Sequence, residues 1–233
     1  MSKKSKLYKA QIEGYDKENS YELTKGIEIL QAMPHVKFDE TLEVAFKLGL
    51  DPKQSDQNIR GAIPLPKGTG KVVKIAVIAD GEAAEKAKEA GADFVGSEEL
   101  VAKIKGGWLE FDVLIATPAL MPKVRPLGRV LGPRGLMPNP KTGTVTENTE
   151  EAVAQAKAGR VEYRTDKGAC VHVPFGKISF PASDLDENFQ AILNAVLRAK
   201  PPTAKGVYIL SCTISATMSP SVKINTNSLV KED

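Results

Sequence analysis

What most constrains the fold of this chain is that its hydrophobic period changes twice. In residues 41–50, TLEVAFKLGL, Leu42, Val44, Phe46, Leu48 and Leu50 alternate with Thr41, Glu43, Ala45, Lys47 and Gly49. A period of two describes a strand with one face buried and the other solvated. Beyond Gly68-Thr69-Gly70 the alternation stops. KVVKIAVIAD and FDVLIATP are near-continuous apolar runs, and between them lie the helical stretches EAAEKAKEAGAD and EELVAKIKGGWL with a short FVG strand. Apolar strands interleaved with helices predict βαβ units around a parallel sheet covered on both faces. After TEEAVAQAKAG, a helix ending at Gly159, alternation returns. RVEYRTDKGACVHVPFGKISF reads as a meander turning near Asp166-Lys167-Gly168. VYILSCTISAT places Tyr208, Leu210, Cys212, Ile214 and Ala216 inward and Ser211, Thr213, Ser215 and Thr217 outward.

The two ends of the chain are thus alike and the middle differs. Helices are expected at 20–33, stopped by Pro34, and at 184–199, where Leu185, Phe189, Ile192, Leu193, Val196 and Leu197 share one face. A flank of about 70 residues buries little core alone. The simplest organisation is therefore one α+β domain built from both ends, residues 1–67 and 160–233, interrupted by an α/β domain at 68–159. Gly68, Gly70 and Gly159 at the crossing points suit two adjacent linkers and a hinge.

Charge is informative only through its distribution. The 233 residues carry 32 basic and 29 acidic side chains, a net +3 that announces no partner. Yet no acid lies between Val113 and Thr146, where Lys123, Arg125, Arg129, Arg134 and Lys141 occur, nor between Asn188 and Lys231, which holds Arg198, Lys200, Lys205, Lys223 and Lys231. Such one-sign segments attract phosphates locally, although charge alone equally allows a solvated loop. Two cysteines make no disulfide framework, so a reducing compartment is expected. Apolar runs fall short of the roughly 18 residues that span a membrane, and the basic start has no hydrophobic segment after it; secretion and membrane insertion are disfavoured.

The usual signatures of catalysis are missing. PKGTGKVV resembles the tail of a phosphate-binding loop, but Leu65 and Val72 occupy the positions needing glycine and a hydroxyl, and the strand follows the loop instead of preceding it. The turn ADGEAAE sets two acids where a pyrophosphate would sit, and GRVLGPRG lacks the glycine spacing. Cys170 and His172 are two apart on one strand face, without the spacing of a zinc site, and both cysteines read as small buried residues. No nucleophile elbow is present.

Three features stand out instead. One is the outward row Ser211, Thr213, Ser215, Thr217 followed by Met218: hydroxyls both donate and accept, as ribose and phosphate oxygens require. Another is Phe38 ahead of a strand whose outer face holds Thr41, Glu43 and Lys47; an aromatic there is ordinarily core, but exposed it becomes a stacking platform. The third is MPKVRPLGRVLGPRGLMPNPKTGTV, with six prolines and four glycines between Val113 and Thr146, expected as an irregular basic loop better explained as a contact surface than as packing.

GPRGLMPNPKTGTV, KFDETLEVAFKLGLDPKQSDQNIRG and TMSPSVKIN closely resemble the bacterial ribosomal protein L-one family, the proteins of the mobile large-subunit stalk, and the resemblance runs from about Tyr8 to Asn225. It implies an RNA-binding α+β domain shared by the termini, with a Rossmann-like three-layer α/β insertion. It also implies a cytoplasmic component of the large ribosomal subunit, a monomer when free, with neither enzymatic activity, cofactor nor metal. The implied partners are large-subunit ribosomal RNA, exit-site tRNA and the protein's own operon messenger RNA, with no membrane and no small-molecule substrate. Carried over by position, the RNA-contacting residues would be Lys37, Phe38, Thr41 and Glu43; Ser55, Asp56 and Arg60; Lys167 and His172; and Ser211, Thr217 and Met218, joined by Thr213 and Ser219. Arg125, Arg129 and Arg134 would face tRNA. The family pattern Thr-Met-Gly-Pro has Ser219 in its glycine position, so either the turn keeps φ negative or the local contact is looser. Two rival classes are a nucleotide-dependent enzyme using the α/β domain and a protein–protein adaptor using the Pro/Gly-rich loop.

Overall fold

The computed structural model describes residues 5–229, apart from the side chains of Ser55 and Ser228. In chain order come helix α1 (Lys6–Glu13), strand β1 (Ser20–Tyr21), helix α2 (Leu23–Ala32) and strands β2 (Thr41–Leu48) and β3 (Arg60–Pro64). Then follow β4 (Ile75–Ile78), α3 (Glu82–Glu89), β5 (Phe94–Gly96), α4 (Glu98–Lys105), β6 (Val113–Ala116), the single turns α5 (Met121–Val124) and α6 (Gly128–Leu131), and α7 (Thr149–Lys157). The chain closes with β7 (Arg160–Arg164), β8 (Cys170–Lys177), α8 (Ala182–Arg198), β9 (Ile209–Ala216), β10 (Val222–Ile224) and α9 (Thr226–Leu229). These elements divide into two units, Met1–Gly70 with Val161–Asp233, and Lys71–Arg160.

The first unit is organised by a five-stranded sheet in the order β1-β10-β9-β2-β8. Among its longest strands, β8 and β9 flank β2 and each runs antiparallel to it. Leu42, Val44, Phe46 and Leu48 of β2 are buried, as the period of two requires. Against them lie Leu23, Ile27 and Leu30 of α2 and Leu185, Phe189, Ile192, Leu193 and Val196 of α8. The Phe189 ring sits 5.9 Å from Phe46 and 6.1 Å from Phe175. Each of these large side chains contributes about 1.5–3 kcal/mol by leaving water. The helices therefore cover one face of the sheet, and the Thr41, Glu43 and Lys47 face is left to solvent.

Two expectations for this unit need correction. β7 does not continue a meander with β8: it pairs with β3 in a separate two-stranded sheet and meets the next strand only at the bridge Thr165–Val171. Leu210 is exposed, not inward, because the register slips where Lys47 faces Ser211 but Leu48 faces Ile209. The extra residue in β9 bulges out, and Ile209 takes the core position.

The second unit holds a parallel sheet in the order β5-β4-β6. All four residues of β4 are buried, but towards two different layers. Ala76 and Ile78 join Leu100 and Ile104 of α4, while Ile75 and Val77 join Ala87 of α3 and Val153 of α7. A strand covered on both faces has no solvent side, which is why its sequence shows no alternation.

The basic Pro/Gly segment is not the irregular loop its composition suggests. Residues 118–131 coil through successive short helical turns, with Leu120, Val124, Leu127 and Leu131 buried at helical spacing. Pro118, Pro122 and Pro126 take first-turn positions, where a missing N–H leaves no bond unmade. Arg125, Arg129 and Arg134 stay exposed on the outside of this packed segment.

The crossing glycines have left-handed backbones, with φ of +66° at Gly68, +70° at Gly70 and +96° at Gly159. Buried Asn188 holds the first crossing: its side chain accepts from Lys67 N–H at 3.0 Å and donates to the carbonyls of Gly68 and Phe175 at 3.0 and 2.9 Å.

Candidate nucleic-acid interface

The pairing register sets the solvent face of the five-stranded sheet residue by residue. Glu43 of β2 lies between Ser215 and Pro174, Ala45 between Thr213 and His172, and Lys47 between Ser211 and Cys170. The outward hydroxyl row of β9 thus runs alongside Glu43 and Lys47, with His172 on the far side. Glu43, His172 and Ser211 are exposed, and Thr213 and Ser215 are half-buried. The Ser211, Thr213 and Ser215 hydroxyls have no side-chain hydrogen bond among the described residues, so each can donate and accept toward a partner.

At the start of β2 the surface is built by a carboxylate that no sequence signal marked. Glu40 is fully buried, and its carboxylate accepts Met218 N–H at 2.8 Å and Val36 N–H at 3.2 Å and lies 3.1 Å from His35 Nδ1. Burial works to raise its pKa, but the two backbone donors and His35 outweigh it, and the net value lies below the ordinary one. One anion therefore ties the loop carrying Lys37 and Phe38 to the turn carrying Met218. The turn closes further through Thr217, whose hydroxyl accepts Thr41 N–H at 3.1 Å and donates to Thr41 C=O at 3.3 Å. Lys177 Nζ donates to Thr41 Oγ1 at 2.8 Å. Phe38 and Met218, 54% and 53% exposed, are left as two bare apolar groups at this end of the sheet. Exposed apolar side chains framed by polar ones mark contact surfaces.

Ser219 resolves the choice left open above. Among the described residues Ala169 is the only non-glycine with positive φ, so the turn at Ser219 keeps an ordinary backbone. Its hydroxyl accepts Ala216 N–H at 2.8 Å, a bond a glycine could not make.

At the other end, Asp166 folds the turn into β8. Its Oδ1 accepts Gly168 N–H at 2.7 Å and Cys170 N–H at 2.8 Å. The Cys170 N–H is the largest influence, and together with Gly168 N–H and the charges of His172 and Lys47 it outweighs burial and holds the Asp166 pKa below the ordinary value. Lys47 donates to the Gly168 carbonyl, and Lys167 is exposed. An open groove of about 800 Å³ adjoins the turn, lined by Pro52, Lys53 and Asn58 on one side and Arg164 and Lys167 on the other.

The remaining candidates lie apart from the sheet face. Arg60 is on β3 and pairs with Glu162 at 3.4 Å. Asp56 is exposed in the short turn Ser55–Gln57, and the Ser55 side chain lies outside the described residues. Cys170, expected to be buried, is half-buried on the outer face, because strand alternation puts it on the side of His172. Cys212 is buried, and burial pushes its thiol up to about 12. In the second unit Arg125, Arg129 and Arg134 form no ion pair among the described residues, whereas Lys123 holds Glu98.

This surface is rich in groups that donate and accept and poor in net charge. Residues 30–220, which include the whole sheet face apart from β1 and β10, match the model of the ribosomal protein L1p/L10e family. The chain belongs to that family. It is 50% identical over 230 residues to the large ribosomal subunit protein uL1 of Chlamydia pneumoniae, covering 99% of both chains. To the large ribosomal subunit protein uL1 of Lactobacillus acidophilus it is 52% identical over 225 residues, 97% of this chain and 98% of the other. The family is one of ribosomal proteins, not of enzymes. Three residues that build or adjoin this face escaped the sequence reading: Glu40, buried beneath its edge, and Lys53 and Arg164, which line the neighbouring groove. Arg164 alone had a legible signal, since it shares the outward parity of Glu162 on β7. Glu40 gave none, because an acid next to a strand start looks like ordinary solvated surface until its backbone donors are seen.

Proposed function

We propose that the chain is a cytoplasmic component of the large ribosomal subunit and that its open sheet face binds ribosomal RNA directly. The observation that carries this reading is the convergence of Thr41, Glu43, His172, Ser211, Thr213 and Met218 on one uncovered face, with Phe38 at its edge. Binding there rests on hydroxyl and shape complementarity: Phe38 stacks on a base, Met218 packs on a ribose, and the serine and threonine hydroxyls read 2′-hydroxyls. Glu43 accepts from a base amine or ribose hydroxyl. Lys37, Lys167 and the Lys53–Arg164 groove take phosphates, while Ser55, Asp56 and Arg60 contribute from the neighbouring connection. Thr217 and Ser219 act by shaping the turn, since both hydroxyls are engaged within the protein. A messenger RNA that displays the same local fold competes for the face, giving repression of the protein's own operon by mass action. In the second unit Arg125, Arg129 and Arg134 face exit-site tRNA and assist its release. The swing this needs uses the glycines at the crossing points, Gly68, Gly70 and Gly159.

Nuclease footprinting of large-subunit RNA with the purified protein tests the central claim. One compact protected region is expected, with log affinity falling against log salt at a slope worth about three to five phosphate contacts. No protection, or a slope near ten contacts, overturns it.

A further inference from the structure

The turn into β8 gathers, within one short stretch, three groups of metal-binding chemistry that take no part in the core. Asp166, Cys170 and His172 each present one donor atom within 4.8 Å of the other two. We infer that these three side chains form a zinc-type cation site at the edge of the sheet face, with the remaining coordination position open to solvent.

The argument begins with backbone geometry. Cys170 and His172 are two apart on β8, so strand alternation puts both on the same outer face. Asp166 is brought back over them because the chain reverses at Lys167–Ala169, where Ala169 takes the unusual φ of +57°. The two backbone N–H bonds to Oδ1 hold the Asp166 carboxylate in place and leave Oδ2 to face the histidine, 3.8 Å from Nε2. A carboxylate pinned by one oxygen and free at the other is a preoriented ligand.

The donor set selects the ion. One thiolate, one imidazole and one carboxylate suit zinc better than magnesium or calcium, which prefer oxygen alone. Around a tetrahedral zinc at about 2.0–2.3 Å the donors stand roughly 3.3–3.7 Å apart. Closing from the present spacing needs only side-chain rotation, and all three groups are at least partly exposed. Binding removes the Cys170 thiol proton to solvent. Lys47 is a cation placed against the site, and its ammonium donates to the Gly168 carbonyl.

Cobalt is the probe, because thiolate–cobalt bonds absorb in the near ultraviolet and tetrahedral cobalt in the visible. The full chain, stripped with a chelator, is titrated with Co²⁺ and then with Zn²⁺. One equivalent of cobalt should give both sets of bands, and zinc should erase them. Cys170→Ser should abolish the charge-transfer band even though Cys212 remains, since that thiol is buried and stays protonated. His172→Ala should weaken binding at least about tenfold. Asp166→Asn keeps an oxygen to cap Gly168 and Cys170, so the turn survives, and it should weaken binding while circular dichroism stays unchanged. Absence of the charge-transfer band, or variants that bind cobalt like the parent, overturns the inference.

Discussion

The two units solve the same burial problem in opposite ways. In the flanking unit an antiparallel sheet is covered by α2 and α8 on one side only, and the second face is free to meet a partner. In the middle unit a parallel sheet is enclosed by helical layers on both sides, so it offers no open face. A sheet face offers a broad, rigid array of alternating groups at fixed spacing; a packed turn offers a few long cations. The first suits shape- and hydroxyl-reading, the second suits attraction to phosphate. The difference teaches that connectivity, more than composition, decides which part of this chain is left with an open sheet face.

Four experiments break or sharpen that contrast. The largest effect is expected from the cores. Phe46→Ala should cost about 3–5 kcal/mol and Ile104→Ala about 2–5 kcal/mol in urea unfolding. Only the first should abolish binding of large-subunit RNA at moderate temperature, because it undermines the sheet that carries the face. Equal loss in both would erase the division of labour.

Glu40 comes next. Replacing it with Gln weakens the charge-assisted bonds to Met218 and Val36 and should cost about 1.5–3 kcal/mol. Because its folded pKa lies below the ordinary 4.5, the unfolded chain binds more protons in acid. Its contribution is therefore complete above that value and is lost as pH falls through the depressed one. Glu40→Gln should flatten the loss of stability between neutral pH and about pH 3, with Glu98, Asp112 and Asp166, also held low, contributing to the slope that remains.

Removing exposed apolar groups should separate binding from stability. Phe38→Ala and Met218→Ala should each weaken RNA affinity by about 1–3 kcal/mol while unfolding moves by less than about 0.5 kcal/mol. Unchanged affinity in both would move the interface elsewhere. The smallest effect is expected at Ser219. Ser219→Ala leaves Ala216 N–H without its acceptor and should cost about 0.5–1.5 kcal/mol of stability, with a smaller change in RNA affinity than Met218→Ala.

Much of the architecture was legible because burial imprints a period. Leu42, Val44 and Phe46 announced a one-sided strand, and the unbroken Ile75–Ile78 run announced a two-sided one. Leu210 was misread because a bulge places it outside the alternation, and no local feature marks a bulge. The Pro/Gly segment was misread because composition speaks of chain stiffness, whereas Leu120, Val124, Leu127 and Leu131 respond to the core they can reach. For the interface, the hydroxyl row of β9 was visible from alternation alone, but not what those hydroxyls do.

Local rules act between neighbours along the chain, so the sequence by itself determined the longer strands, helices α2, α3, α4, α7 and α8 with their apolar faces, and the family. Only the tertiary structure decided that Thr217 is spent on Thr41 and that Glu40 reaches Met218. Those pairings depend on register and loop closure between distant segments, and no single stretch of residues carries that information.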